Sequence, residues 1–545
     1  MSQEVPDFIK SSAIMAAGTL VSRATGLIRN LLTVAALGTA LFADTFNVAN
    51  TIPTILYILL AGGALNAVFV PQLVRSMRDD EDGGSAFASR LLSSVTSLLF
   101  LITALGIVLA PFITRIYAPK FSLPGFETER SLTITFMRYC LPQILMMGIF
   151  VILSQIGNAR GKFGPMMWAP VLNNLVGIGV LLAFLVVAPN VNADTITPNQ
   201  IALLGIGTTA GFVIQALILI PVVKNSGLRL TARFDWRHSD LGKSFRLGGW
   251  TLLFVLINQI GYLIIVKVAT SAAVQAKLEG VTTGVGFTPY SYAYFIFILP
   301  HSIITVSIIT ALLPKISRLA HDHNDGAVQK NLIDSIRHVA VVTAPSTILF
   351  IVFGSAITSL LYAGISADDS RQIGMVLAGF ALGLIPFSTM PLLLRGLYAY
   401  EDTRTPVVIN LFATGSMMIL AIIAESIMPF RYVTVGLAII LGISNGLGTV
   451  LSIRALEKRM GRFPKRKILI SHGKLLLLSI TAIVPSFAIF AFIKEVTSES
   501  WIYNALALTI GGSIFSAAYI YGGRLAKVEE ITSLYSQIMA RFRRK

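Results

Sequence analysis

The chain has 545 residues, of which 54% are hydrophobic and only 13% charged, with a mean hydropathy of +0.76; a soluble protein carries about one-quarter charged residues. No polar stretch is long enough to build a separate water-soluble core, which excludes a multi-domain soluble enzyme and leaves one membrane domain. The formal charge of +17 would suit a nucleic-acid partner only if the basic residues shared a face, and they lie instead in short loops, so no nucleic acid is expected.

The N-terminus, residues 1–10, is polar. The apolar run after it is interrupted by Arg23 and Arg29, and is too long and too charged for a cleaved signal peptide. No lipidation motif is visible. A bilayer-spanning helix needs about 20 mainly apolar residues, and on that criterion about fourteen spans are expected. The first six lie near 12–37, 43–73, 87–114, 131–158, 165–188 and 200–223. Six more lie near 247–270, 284–314, 338–362, 372–398, 406–428 and 432–453, with two further spans near 475–493 and 500–523. The single cysteine, Cys140, sits in an apolar run beside Pro142 and reads as a small core residue.

With the N-terminus in the cytoplasm, 32 of the 43 lysines and arginines fall on cytoplasmic flanks and 8 on the opposite flanks, while Arg23, Arg29 and Arg138 lie within spans. The positive-inside rule therefore places both termini in the cytoplasm of a multi-pass plasma-membrane protein. Phe69-Val70-Pro71-Gln72-Leu73-Val74-Arg75 is echoed by Leu312-Leu313-Pro314-Lys315-Ile316-Ser317-Arg318 at an offset of 243, and Gly164-Pro165 by Thr405-Pro406 at an offset of 241. Two matches at nearly one offset argue for duplicated lobes of six spans. Because six is even, the repeats are parallel, an architecture of alternating-access transporters. The expected organisation is a first lobe at 1–225, a cytoplasmic linker at 226–246, a second lobe at 247–456, two further spans at 457–525 and a basic amphipathic tail at 526–545.

The linker places Phe234, Trp236 and Phe245 among Arg229, Arg233, Arg237 and Lys243, a mixture suited to lying on anionic membrane lipid, with an ordinary positive-inside loop as the alternative. In the tail, Val528, Ile531, Leu534, Ile538, Met539 and Phe542 recur at helical spacing before a basic end, which reads as a surface-lying amphipathic helix.

A charged side chain in the bilayer costs about 2.5–3.5 kcal/mol on insertion scales, so each one inside a span is a functional candidate. Arg23 and Arg29 are six residues apart, about 240° round a helix, and make different contacts if the helix is regular. Asp44 opens the returning second span on the same side as Arg29; it is a candidate partner for that arginine, or an N-cap accepting the free amides of Phe46 or Asn47. Asn47, Asn50, Thr51, Thr54 and Tyr57 fall within about 120° of one another on span two, a stripe that belongs in a bundle interior or a watery cavity. Tyr290, Tyr294, His301 and Thr305 share a face of span eight, as cavity lining or as polar glue between helices. There is no phosphate-binding Walker loop and no His/Cys cluster with metal-ligand spacing. The acidic residues lie mainly in loops and span ends, so a paired-carboxylate centre in the membrane is not supported. No cofactor is expected. Span seven lacks any acidic residue, which leaves Na⁺ or H⁺ coupling open.

The run Ser22-Arg23-Ala24-Thr25-Gly26-Leu27-Ile28-Arg29, then Ala43-Asp44-Thr45-Phe46 and Gly63-Ala64-Leu65-Asn66-Ala67-Val68-Phe69-Val70-Pro71, resembles the N-terminal signature of the MurJ (MviN) family, and the resemblance covers the whole chain. It implies an all-α membrane protein of the multidrug/oligosaccharidyl-lipid/polysaccharide exporter superfamily, with two six-helix lobes around a V-shaped central cavity plus two C-terminal helices. It also implies a flippase moving lipid II outward by alternating access. Arg29 matches a family arginine that contacts the substrate pyrophosphate, and Arg23 and Asp44 match other functional positions. The family's span-two arginine falls at Tyr57, its acidic gate residue at Gly62 and its span-eight arginine at about Phe295, a reduction that resembles the actinobacterial branch. Cell-division or elongation proteins are implied partners. The alternatives are an exporter of drugs or other polyprenyl-linked sugars, and a non-transporting scaffold of the cell-wall machinery, which the missing arginines motivate. An integral-membrane glycosyltransferase would need an acidic loop cluster, and none stands out.

Overall fold

The computed structural model describes residues 4–60, 70–189, 191–228, 230–234, 241–281, 284–362, 364–497 and 500–532. All regular structure among them is helical, the form in which a spanning segment satisfies its backbone polar groups internally. The chain forms two compact units, residues 1–274 and 275–545.

The first unit holds α1 (Glu4–Leu37), α2 (Leu41–Leu60), α3 (Val70–Asp79), α4 (Ser85–Tyr117), α5 (Glu127–Cys140), α6 (Gln143–Ala159), α7 (Phe163–Val187), α8 (Pro198–Leu217), α9 (Leu219–Lys224) and most of α10 (Leu241–Leu278). Gly38 ends α1 in the left-handed conformation, φ +70°, and its amide donates back to the Val34 carbonyl at 2.8 Å, so the chain turns into α2 within three residues. The proline at 142 interrupts the fourth span between α5 and α6. A capping box of Thr197 and Gln200 starts α8.

The second unit holds α11 (Phe287–Pro300), α12 (Val306–His321), α13 (Asp325–Leu361), α14 (Ala367–Ala381), α15 (Leu384–Ala399), α16 (Arg404–Ile427), α17 (Phe430–Met460), α18 (Lys465–Val496) and α19 (Trp501–Leu525). Between α11 and α12 the helix widens into a π turn at His301–Thr305. The tenth span bends by 43° between α14 and α15, where Gly383 lies against the backbone of Gly442 on α17.

The offset between the sequence echoes recurs in the helix bounds. α7 begins at Phe163 and α16 at Arg404, 241 residues on; the break after Cys140 recurs after Ala381, again 241 on. Twelve helices among the described residues are long and apolar enough to span a membrane, thirteen with the bent α14–α15 pair counted as one, close to the fourteen expected. The remaining span, 43–73, is α2 followed by residues 61–69, which lie outside the described residues, as does the Gly62 position. Rows of exposed Leu, Ile, Val and Phe, such as Leu101, Leu105 and Val108 on α4 and Leu477, Val484 and Phe492 on α18, form the apolar exterior that lipid covers.

Two flanking segments differ in detail from expectation. The linker is partly protein-bound: the amides of Thr231 and Arg233 donate to Ser89 and Ser93 of α4 at 3.1 and 3.0 Å, and its last residues already belong to α10. Phe234 is exposed, while Arg229, Trp236 and Arg237 lie outside the described residues, as do the side chains of Lys243 and Phe245. The start of the tail docks on protein rather than lipid, with Val528 and Ile531 buried against Val341, Leu475, Phe515 and Tyr519. Leu534, Ile538, Met539 and Phe542 lie outside the described residues.

Candidate functional site

In the first unit α1 lies along α7, and small residues set the closeness of the two helices. A Cβ at Gly18 would come within 2.9 Å of Trp168 Nε1, and one at Gly26 within 3.4 Å of Asn174 Nδ2. Asn174 donates to the Ser22 carbonyl at 2.9 Å and to Thr25 Oγ1 at 3.1 Å, crossing from α7 to α1. One turn further along α7 is Gly177, whose missing side chain makes the seat of Arg29. A Cβ there would stand 2.7 Å from Arg29 Nε, 2.9 Å from Cδ and 3.2 Å from Cζ. Arg29 is therefore half-buried, with its guanidinium end packed close against the backbone of α7 at Gly177. Arg23 is exposed on the same helix.

Asp44 is fully buried in the first turn of α2. It is not the N-cap, because the helix begins three residues earlier at Leu41, where Leu41 packs with Phe121 and Phe126 and draws the helix start back. Among the described ion pairs within 4 Å there is none between Asp44 and Arg29. Both sit in this unit at the α1–α2 hairpin.

The span-two stripe divides. Asn50 Oδ1 accepts from Gln143 Nε2 of α6 at 3.2 Å; Gln143 also donates to Thr209 Oγ1 of α8 at 3.3 Å, and Thr209 donates to the Tyr139 carbonyl at 2.7 Å. Four helices thus share one polar chain, with Gln143 and Thr209 buried. A second amide bridge runs from Asn173 Nδ2 to Gln215 Oε1 at 2.9 Å, and Asn173 Oδ1 and Asn30 Oδ1 are buried with no hydrogen-bond partner. Asn47 is half-buried and Thr54 exposed. Tyr57 is half-buried with its ring against the apolar cluster of Leu91, Ile152 and Ile156, so in this conformation it packs into the unit's core.

Tyr294 and His301 belong to the second unit and join an aromatic cluster. Tyr294 packs edge-on to Phe380 at 5.6 Å and to Phe387 at 6.4 Å, and Phe387 stands 4.8 Å from the His301 ring. His301 Nδ1 lies 3.1 Å from Ser388 Oγ. Tyr290 is buried in the same cluster, Thr305 is buried in the π turn, and Phe295 on α11 is half-buried.

The sequence reading missed Gln143, Asn173, Asn174, Thr209, Gln215 and Gly177. The five polar ones carry the signal that singled out span two, hydrogen-bonding side chains in an apolar helix. No group of three or more His, Cys, Asp or Glu among the described residues is placed to hold a metal.

The chain is a multi-pass helical membrane protein whose spans carry a buried polar network and an arginine packed on glycine. Its fold resembles that of a solved structure titled "Lipid II flippase MurJ, inward closed conformation", with a TM-score of 0.72 at 18% identity, covering 94% of this chain and 99% of that one. It also resembles an inward-facing multidrug resistance MATE family transporter of the MOP superfamily, with a TM-score of 0.65 at 14% identity, over 82% of this chain and 98% of that one. The profile of the family described as "Lipid II flippase MurJ" matches residues 33–511, and the chain belongs to that family. Among curated relatives, the "Probable lipid II flippase MurJ" of Haemophilus influenzae is 27% identical over 93% of this chain and 97% of its own length. The protein of that description from Vibrio cholerae is 25% identical over 93% of each.

Proposed function

We propose that the chain translocates lipid II, the undecaprenyl-diphosphate-linked peptidoglycan precursor, from the inner to the outer leaflet of the bacterial plasma membrane by alternating access, as a transporter rather than an enzyme. The observation that carries this reading is the seat of Arg29. A guanidinium placed inside a span against glycine backbone keeps its planar fork for a phosphate, and a low-dielectric surround strengthens that charge-assisted contact. Family membership and the length over which relatives align support lipid II as the substrate.

Asp44 is the acidic group of the same hairpin and serves as a counter-charge when Arg29 releases its phosphate. Arg23, Asn47, Asn50, Thr54 and Tyr57 are the further substrate-binding residues of the first unit in this reading, and Tyr294 and His301 those of the second. The distribution of basic residues supports cytoplasmic termini. With the cell interior negative, each uncompensated negative charge moved outward gains about 2.3 kcal/mol per 100 mV, so membrane potential suffices as a driver. Anionic lipids under the basic linker, and proteins of division or elongation, are partners of the same reading. Depleting the protein in growing cells and probing lipid II with an impermeant outer-leaflet reagent tests it. Lipid II trapped on the inner leaflet is expected, and unchanged outer-leaflet exposure would refute it.

A further inference from the structure

Arg138 lies inside a span yet has no place in the Arg29 seat. It stands 11 residues from Glu127 at the start of α5, about 16 Å along the helix, and is exposed. One face of α5 is fully committed to the core, with Glu129, Leu132, Thr133, Phe136, Met137 and Cys140 buried. The other face repeats Arg130, Ser131, Ile134, Thr135 and Arg138, spaced as neighbours on a helix surface. Together with the loop that joins α4 to α5, this face lines a groove of about 340 Å³, a size typical of small-molecule sites.

The chemistry of the groove selects its occupant. No carboxylate forms an ion pair with Arg130 or Arg138 among the described residues. Glu127, which also lines the groove, has its carboxylate engaged by the Gly125 amide at 3.0 Å. Two guanidinium groups outnumber that one carboxylate, and the hydroxyls of Ser131 and Thr135 lie between them along the helix. Leu123 and Ile134 provide apolar wall. An arginine at this depth is expensive unless water or an anion satisfies it, and guanidinium pairs most strongly with a phosphate it can grip with two N–H groups.

We propose that this groove of α5 and the α4–α5 loop is a binding site for the phosphate head group of an anionic lipid, separate from the Arg29 seat. The phosphate belongs either to a resident glycerophospholipid or to a polyprenyl diphosphate in passage. The site rests on α5 being membrane-spanning and not on which lipid the protein flips, so the two readings fail independently.

Native mass spectrometry of the full chain in neutral detergent, titrated separately with phosphatidylglycerol, undecaprenyl diphosphate and uncharged diacylglycerol, tests the proposal. Replacing both Arg130→Gln and Arg138→Gln should weaken binding of at least one phosphate-bearing lipid roughly tenfold, with diacylglycerol unaffected. A loss confined to phosphatidylglycerol identifies a resident lipid, and a loss confined to undecaprenyl diphosphate identifies a station on the transport path. If the double variant does not fold, each single variant is read in the same way, with a loss of about threefold expected. Unchanged affinity for both phosphate lipids in a folded variant would overturn the site.

Discussion

Arg29 was legible in the sequence because a charge inside an apolar run has to be explained; its seat was not. Gly177 looks like any small residue of a spanning helix until α1 is laid on α7, and only then does the absence of its side chain acquire a purpose. The contact yields a sharp test, because a methyl group at 177 would collide with the flexible end of Arg29 and with little else. Gly177→Ala should leave expression and thermal unfolding close to wild type while lipid II translocation falls severalfold. A translocation rate equal to wild type would mean that the seat does not position the arginine. Gln143 makes the complementary case. Gln143→Leu removes the donor to Asn50 Oδ1 and to Thr209 Oγ1, while Thr209 keeps its bond to the Tyr139 carbonyl, at a cost of about 1–3 kcal/mol, visible as a lowered unfolding temperature in detergent. Asp44 shows where local rules mislead: an acid near a helix start reads as a cap, but burial of Leu41 moves the start and leaves the carboxylate inside the first turn.

Among the elements, the described start of the tail, residues 526–532, packs on protein where its spacing suited lipid equally. The periodicity of Val528 and Ile531 is the same whether lipid or protein covers the apolar face, so sequence alone could not choose. Arg337 on α13 decides it, bonding Glu530 at 2.7 Å and Glu529 at 2.8 Å, while Ser471 of α18 donates to Glu530. Glu530 is 6% exposed at its side chain and Glu529 78%, so the two carboxylates are unequal. Removing a partner from a buried pair costs about 3–5 kcal/mol, whereas an exposed pair is screened by water and contributes little. Glu530→Ala should therefore release residues 526–532 to hydrogen exchange, and Glu529→Ala should barely change it.

The same pairs set a pH dependence. Burial raises the Glu530 carboxyl, but hydrogen bonds from Ser471 and Arg337 and the arginine's charge outweigh it, and its pKa ends below the usual carboxylate range. Glu529 is lowered through its hydrogen bond and charge interaction with Arg337. Folded values below unfolded ones mean that this docking is at full strength above the ordinary glutamate pKa and is lost as pH falls through the lowered values. Exchange protection of 526–532 should be flat through neutral pH and collapse only in acid. Loss of protection on raising the pH would contradict the assignment.

At the scale of the whole molecule the repeat was readable from two short echoes because loop prolines and glycines punctuate helices, and the offset of 241 returns in the helix bounds. The helix count was readable for the same reason that it is physically constrained, since only long apolar helices satisfy their backbone in lipid. The polar interior was half legible: the stripe on α2 stood out, while the amides of α6, α7 and α8 that complete it needed the packing to be seen. Orientation rests on charge. Reporter fusions after Arg524 should report the cytoplasm, as should fusions within 226–234, and a periplasmic signal at either place would break the fourteen-span scheme.

The proposed flippase carries the substrate's diphosphate on a single guanidinium, that of Arg29. The direct measurement is lipid II exposure on the outer leaflet, in cells whose own copy is depleted and replaced by variants at matched protein levels. Arg29→Ala should insert normally and leave lipid II on the inner leaflet. Arg29→Lys should restore only part of the exposure, because an ammonium keeps the charge and loses the fork. Full outer-leaflet exposure with Arg29→Ala would contradict the account.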